Sequence, residues 1–88
     1  MGYVYTKDEN YVLSLYKATQ EAGEAETPFN RYDIGERAGI NPKAVNAICK
    51  LLIQANFIKK REEEEVYLTP HGEKLALQLL NEKKKVGG

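Results

Sequence analysis

The sequence has no tryptophan, and it carries cysteine, methionine and histidine once each and proline three times. A single cysteine excludes an internal disulfide and fits a reducing compartment. One histidine beside one cysteine is too small a ligand set for zinc, so no metal is expected. No apolar run approaches the roughly 20 residues that cross a bilayer. The opening Met1-Gly2-Tyr3-Val4-Tyr5 lacks the basic cluster and apolar stretch of a secretory signal, which makes the cytoplasm the expected location. A glycine-rich phosphate loop, a nucleophile motif and a histidine–carboxylate constellation are all missing. Neither catalysis nor a cofactor is expected.

What is present describes one small soluble domain over residues 1–88. Hydrophobic residues make up 42% of the 88 residues, enough for a modest core, and charged residues make up 30%. The formal net charge is zero, but the charges are segregated. Residues 1–40 hold four basic and seven acidic side chains, and residues 62–88 hold four and six. Between them, residues 41–61 hold five basic side chains, Lys43, Lys50, Lys59, Lys60 and Arg61, and no acidic one. Attraction to phosphate depends on local potential more than on the total charge.

Local signals divide the chain. Thr6-Lys7-Asp8-Glu9 has the capping-box pattern, with two acids at the positive end of the helix dipole. Val12, Leu15, Tyr16 and Thr19 follow at helical spacing, as do Tyr11, Leu15, Ala18 and Ala22, so a first helix with a wide apolar stripe is predicted over 6–23. Residues 23–28 read as a loop. Phe29 is expected to anchor the core ahead of a second helix capped by Asn30, with Asp33 completing the box. Ile34 and Ala38 face inward, Gly39 terminates the helix, and Ile40 enters the core. Asn41-Pro42 restarts a helix with Val45, Ile48, Cys49 and Leu52 as its buried stripe and Asn56 as its end. Phe57–Arg61 and Glu65–Leu68 are the two strands of a hairpin spanning 57–68, with Glu62-Glu63-Glu64 as its turn. Thr69-Pro70 opens a last helix over 70–85, with Leu75, Ala76, Leu79 and Leu80 inward and a disordered tail at 86–88. The fold class is mainly α with a small β-hairpin.

From Tyr32 to Ile58 this order resembles the winged helix-turn-helix family, in the broad style of MarR-like regulators. The matching residues run from Tyr32 through Ile40 for the first helix and turn, and from Asn41 through Leu52 for the recognition helix. Asn56-Phe57-Ile58 stands where the family usually has glycine and two apolar residues. Leu68-Thr69-Pro70-His71-Gly72 matches the leucine-threonine-proline-x-glycine start of the helix after the wing. The resemblance implies binding of double-stranded DNA, with residues 30–55 as the helix-turn-helix.

With Val45, Ile48 and Leu52 buried, the opposite face of that helix shows Lys43, Ala44, Asn46, Ala47 and Lys50, preceded by Asn41. An α-helix fits the major groove. Asn46 is the base-reading candidate, because an amide pairs bidentately with adenine. Lys43 and Lys50 are phosphate contacts, and Ala44 and Ala47 offer close approach or a thymine-methyl contact. Lys59, Lys60 and Arg61 add a basic wing strand. Phosphate repels the four glutamates at the wing tip, so tip insertion into the minor groove is not expected.

Plainer readings stand beside these. The basic residues can be solvated surface, and the glutamates a soluble tip that blocks edge pairing. Cys49 reads as a small core residue, His71 as a surface residue at a helix start, and the six tyrosines as core-edge residues with a polar tip. Leu51 and Ile53 either pack against the first or last helix or form part of a partner surface, and the wide stripe of the first helix, with Tyr3 and Tyr5 before it, poses the same choice; a homodimer through the terminal helices is the expectation. The rival to DNA binding is a protein-interaction winged helix. Zero net charge, the alanines of the recognition face and the acidic tip favour it. RNA remains a third class of partner.

Overall fold

The structure is a computed structural model that describes residues 5–87, with side chains through Asn81. Tyr3 and Gly88 lie outside the described residues. The elements follow in the order α1 (Lys7–Ala22), β1 (Phe29–Asn30), α2 (Arg31–Arg37), α3 (Pro42–Gln54), β2 (Ile58–Lys60), β3 (Glu65–Leu68) and α4 (Pro70–Gly87). The architecture is the expected winged helix. α4 runs two residues beyond its expected end, so the helix takes in part of the tail read as disordered.

The caps form where the sequence places them. Thr6 Oγ1 accepts from the Glu9 N–H, and Glu9 Oε1 accepts from the Thr6 N–H. Gly23 closes α1 in the left-handed region at φ 76°. Asn30 Oδ1 accepts from the N–H groups of Tyr32 and Asp33, but Asp33 makes no return bond, so that capping box is half formed. α2 and α3 end in the same device. In each, the residue after the cap takes positive φ (Gly39 at 72°, Asn56 at 65°). The next N–H reaches back to the helix, from Ile40 to the Gly35 carbonyl and from Phe57 to the Leu52 carbonyl.

The sheet corrects the two-stranded expectation. It has three strands in the order β1-β3-β2, and both pairings are antiparallel. Phe29 pairs with Val66 and Asn30 with Glu65, so Phe29 is a half-buried strand residue and not only a core anchor. Two residues carry no period of their own; the long-range partner makes the strand. β2 is also shorter than read, because Phe57 belongs to the turn leaving α3 and Arg61 to the turn entering the wing tip.

α1 lies at the centre. Tyr11, Val12, Leu13, Leu15, Ala18 and Thr19 are all buried, and α4, α2, β3 and α3 pack around the helix. The wide stripe is therefore absorbed within one chain, which removes it as a sign of an interface. Tyr11 is a further correction. It is fully buried, with its hydroxyl donating to the Arg31 carbonyl at 2.8 Å. Cys49 from α3 lies against the same hydroxyl. Burial pushes the Cys49 thiol up, despite opposing contributions from the Tyr11 hydrogen bond and the Arg31 charge. Tyr11 is pushed far up, by burial first and then by its hydrogen bond with Cys49.

Two glycines set helix spacing by lacking a Cβ. At Gly35 a Cβ would overlap the Val45 side chain, and Val45 is fully buried. At Gly72 a Cβ would overlap the Phe57 carbonyl oxygen, with Leu68 Cδ1 at 2.8 Å as well. Backbone yields less than a side chain. Gly72→Ala is therefore expected to lower unfolding free energy in urea by about 3 kcal/mol and Gly35→Ala by about 1–2 kcal/mol. Equal and negligible losses would contradict the close approaches.

The buried thiol and phenol generate a second expectation. Both are acids whose native-state values lie above their unfolded ones. Their stabilising contribution is whole below the unfolded thiol value of about 8.5 and declines as pH rises past it, with Tyr11 joining above about 10. The melting temperature should fall through the range above about pH 8.5, and Cys49→Ala should flatten the lower part of that fall. A melting temperature constant from neutral pH to about 10.5 would contradict the burial of both groups.

Candidate nucleic-acid interface

The buried side of α3 carries Val45, Ile48, Cys49 and Leu52. At 3.6 residues per turn this leaves Lys43, Asn46, Ala47 and Lys50 on the outside, and all four are exposed. Ala44 is only half exposed and packs against the core, so its availability is smaller than the helical pattern implies. Asn41 is exposed, but its side-chain oxygen is engaged in capping: Oδ1 accepts from the Ala44 N–H at 2.9 Å. Leu51 sits on the Ala44–Ala47 flank of the helix and is 56% exposed, whereas Ile53 packs against the core.

The wing splits the basic run. Ile58 pairs with Leu68, Lys59 with Tyr67 and Lys60 with Val66. Paired residues share a face, and neighbours along a strand alternate. Lys60 therefore shares the side of Ile58 and Val66, and Lys59 the opposite side with Tyr67. Both lysines are exposed, because β2 has few residues over the core. Arg61 is exposed too, with its N–H donating to the Glu65 carbonyl at 2.9 Å. Lys59, Lys60 and Arg61 thus do not act as one block. None of Lys43, Lys50, Lys59, Lys60 and Arg61 is ion-paired to a described residue, whereas Arg37 binds Glu21 at 3.0 Å. The five positive charges stay available to an outside anion.

Two residues of α2 join the site that the sequence pattern did not reveal. The Tyr32 hydroxyl donates to Asn46 Oδ1 at 3.1 Å. The Arg31 guanidinium lies 5.1 Å from the centre of the Tyr32 ring. The Arg31 backbone is tied at both ends, its N–H to the Glu64 carbonyl and its carbonyl to the Tyr11 hydroxyl, each at 2.8 Å. Only the packing of α2 on α3 brings Tyr32 to Asn46, and no spacing rule within one helix would find it. Arg31 was hidden by its location, outside the acid-free stretch.

At the wing tip, Glu62, Glu63 and Glu64 are exposed and Glu65 is half-buried. With Asn30 they line an open depression, yet among the described residues no three acidic, histidine or cysteine side chains are placed to hold a metal. His71 is exposed, with its ring stacked on Phe57 at 4.7 Å between centres. A cavity of about 60 Å³ between Thr19, Leu68 and Thr69 is far below the roughly 300 Å³ of a small-molecule site. No described helix is long and apolar enough to cross a membrane.

No protein-family model matches this sequence, and no curated protein matches it either. Solved structures do match the fold. The YusO protein from Bacillus subtilis is 21% identical with a TM-score of 0.65, over 86% of this chain and 55% of that one. NMB1585, a MarR family regulator from Neisseria meningitidis, is 21% identical with a TM-score of 0.61, over 89% and 56%. F-93 of SSV1 is 23% identical with a TM-score of 0.64, over 99% and 97%. The chain spans little more than half the length of the first two and nearly all of the third. The fold is that of winged-helix, MarR-like proteins.

Proposed function

We propose that this chain binds double-stranded DNA as a transcription regulator or as the DNA-binding module of one, in a mode weighted toward the phosphate backbone. The observation that carries this reading is the acid-free stretch from Asn41 to Arg61. All five of its basic side chains are exposed, on the free face of α3, along the adjoining β2 and at Arg61 just after it. α3 enters the major groove, Lys43 and Lys50 reach phosphates, and Asn46 meets base edges. Lys59, Lys60 and Arg61 supply backbone contacts from two sides of the wing. Binding from the cytoplasm and without a catalytic step belongs to the same proposal.

Each phosphate contact releases counterions, so its loss reduces the steepness of the salt dependence by about 0.9 in the log–log slope. Lys43→Glu and Lys50→Glu are expected to weaken binding to random duplex DNA and to flatten that slope. Lys17→Glu on α1 makes the same charge change away from α3 and should do neither. Binding that ignores salt and these two lysines would refute the mode.

The structure adds one feature to those that favour a protein-binding reading, the exposed Leu51 beside Ala47 on the same helix. Titration with random duplex at low salt separates the two: movement of the Asn46, Lys50 and Lys60 amide signals supports DNA, and none supports a protein partner. The proposal includes a homodimer through the terminal helices; with the α1 stripe absorbed within the chain, its support is Leu77, which is 49% exposed on α4. Light scattering at high micromolar concentration should return twice the 10.0 kDa chain mass, and a value of 10.0 kDa would remove the dimer.

A further inference from the structure

Resting on the DNA reading above, we propose that Tyr32 is a positioning residue that sets the base preference of Asn46. It holds the amide so that α3 favours guanine over adenine. The Tyr32 hydroxyl donates to Asn46 Oδ1, which engages the acceptor side of the amide and leaves both Nδ2 hydrogens for an incoming base. In the major groove guanine presents two acceptors, N7 and O6. Adenine presents one acceptor and one donor, and its bidentate recognition needs the amide oxygen as acceptor. An amide whose oxygen is already bonded from one side is the better match to guanine.

The hydroxyl is presented from a fixed base, not from a free surface tyrosine. The Tyr32 N–H donates to Asn30 Oδ1 at 2.9 Å, and the ring packs against the core under the Arg31 guanidinium. Arg31 is held to the wing through Glu64 and to α1 through Tyr11. The reach from α2 to Asn46 also depends on the close contact of Gly35 with Val45. Asn46 is thereby oriented by another helix before any base arrives, which lowers the ordering cost of the contact.

The test incubates the 88-residue chain with randomised duplex DNA and sequences the bound fraction, for the native protein, Tyr32→Phe and Asn46→Ala. The native protein should enrich guanine over adenine at one position of the site, and Asn46→Ala should erase that preference. Tyr32→Phe keeps the ring and its packing. It should lower the guanine-to-adenine ratio by about fivefold, the value of one neutral hydrogen bond. Its salt slope should stay unchanged, because the hydroxyl carries no charge, and any loss of affinity for random duplex should be smaller than the loss of preference. Placing 7-deazaguanine at that position should weaken the native protein and leave Asn46→Ala unaffected. Enrichment of adenine that depends on Asn46 overturns the proposal. So does a ratio unmoved in Tyr32→Phe, or a loss of random-duplex affinity in that variant equal to the loss of preference. Salt-dependent binding without any Asn46-dependent preference overturns the positioning role alone. Absence of salt-dependent binding overturns the DNA reading and this inference with it.

Discussion

The Thr69 side chain holds the two halves of this fold together. Its hydroxyl points at the Asn56 and Phe57 carbonyls, at 2.6 and 3.0 Å, and accepts from the Gly72 N–H at 3.0 Å. The Thr69 N–H donates to the Phe57 carbonyl as well. One residue thus caps α4 and ties it to the turn where α3 becomes β2. The tie requires α4 to lie so close to Phe57 that only glycine fits at position 72. The leucine-threonine-proline-x-glycine pattern is a physical specification: leucine enters the core, threonine clamps, proline starts the helix, and glycine permits contact. Because the clamp grips the end of α3, the angle between α3 and the wing depends on it.

The helices were legible in the sequence because their ends are local events. A threonine three residues before a glutamate, an asparagine before a proline, and a glycine after an apolar stripe each solve a backbone problem within one turn of chain. What escaped was decided at long range. β1 is two residues long and exists because β3 passes beside it. The width of the α1 stripe was visible, but its meaning was not. A helix surrounded by four elements and a helix that pairs with a second chain show the same sequence pattern. Tyr11 illustrates the difficulty: its polar tip suggested a core-edge position, and the carbonyl of Arg31, 20 residues away, satisfies it inside the core.

The site was legible to the same degree. Charge segregation could be counted, and all five basic residues proved to be exposed. Their grouping could not be counted, because strand alternation places Lys59 and Lys60 on opposite sides of β2. Helical phase correctly put Asn46 outside, yet it said nothing of Tyr32, whose bond to Asn46 crosses between helices. Ala44 shows the limit from the other side, since its exposure depends on how closely neighbouring elements approach the start of α3.

The acidic wing tip fits this geometry once its attachment is considered. The Glu64 carbonyl accepts from the Arg31 N–H, and β1 binds β3, so the tip is anchored beside the start of α2. The backbone of the tip is therefore held in place at Glu64 and Glu65. At physiological salt, interactions between exposed charges fade over about 8 Å. Within that range the tip repels phosphate where it stands, while the basic groups of α3 and β2 attract it. The surface therefore carries both signs of charge side by side and not a uniform positive field. Segregation of this kind lets a chain with zero net charge present a locally positive face.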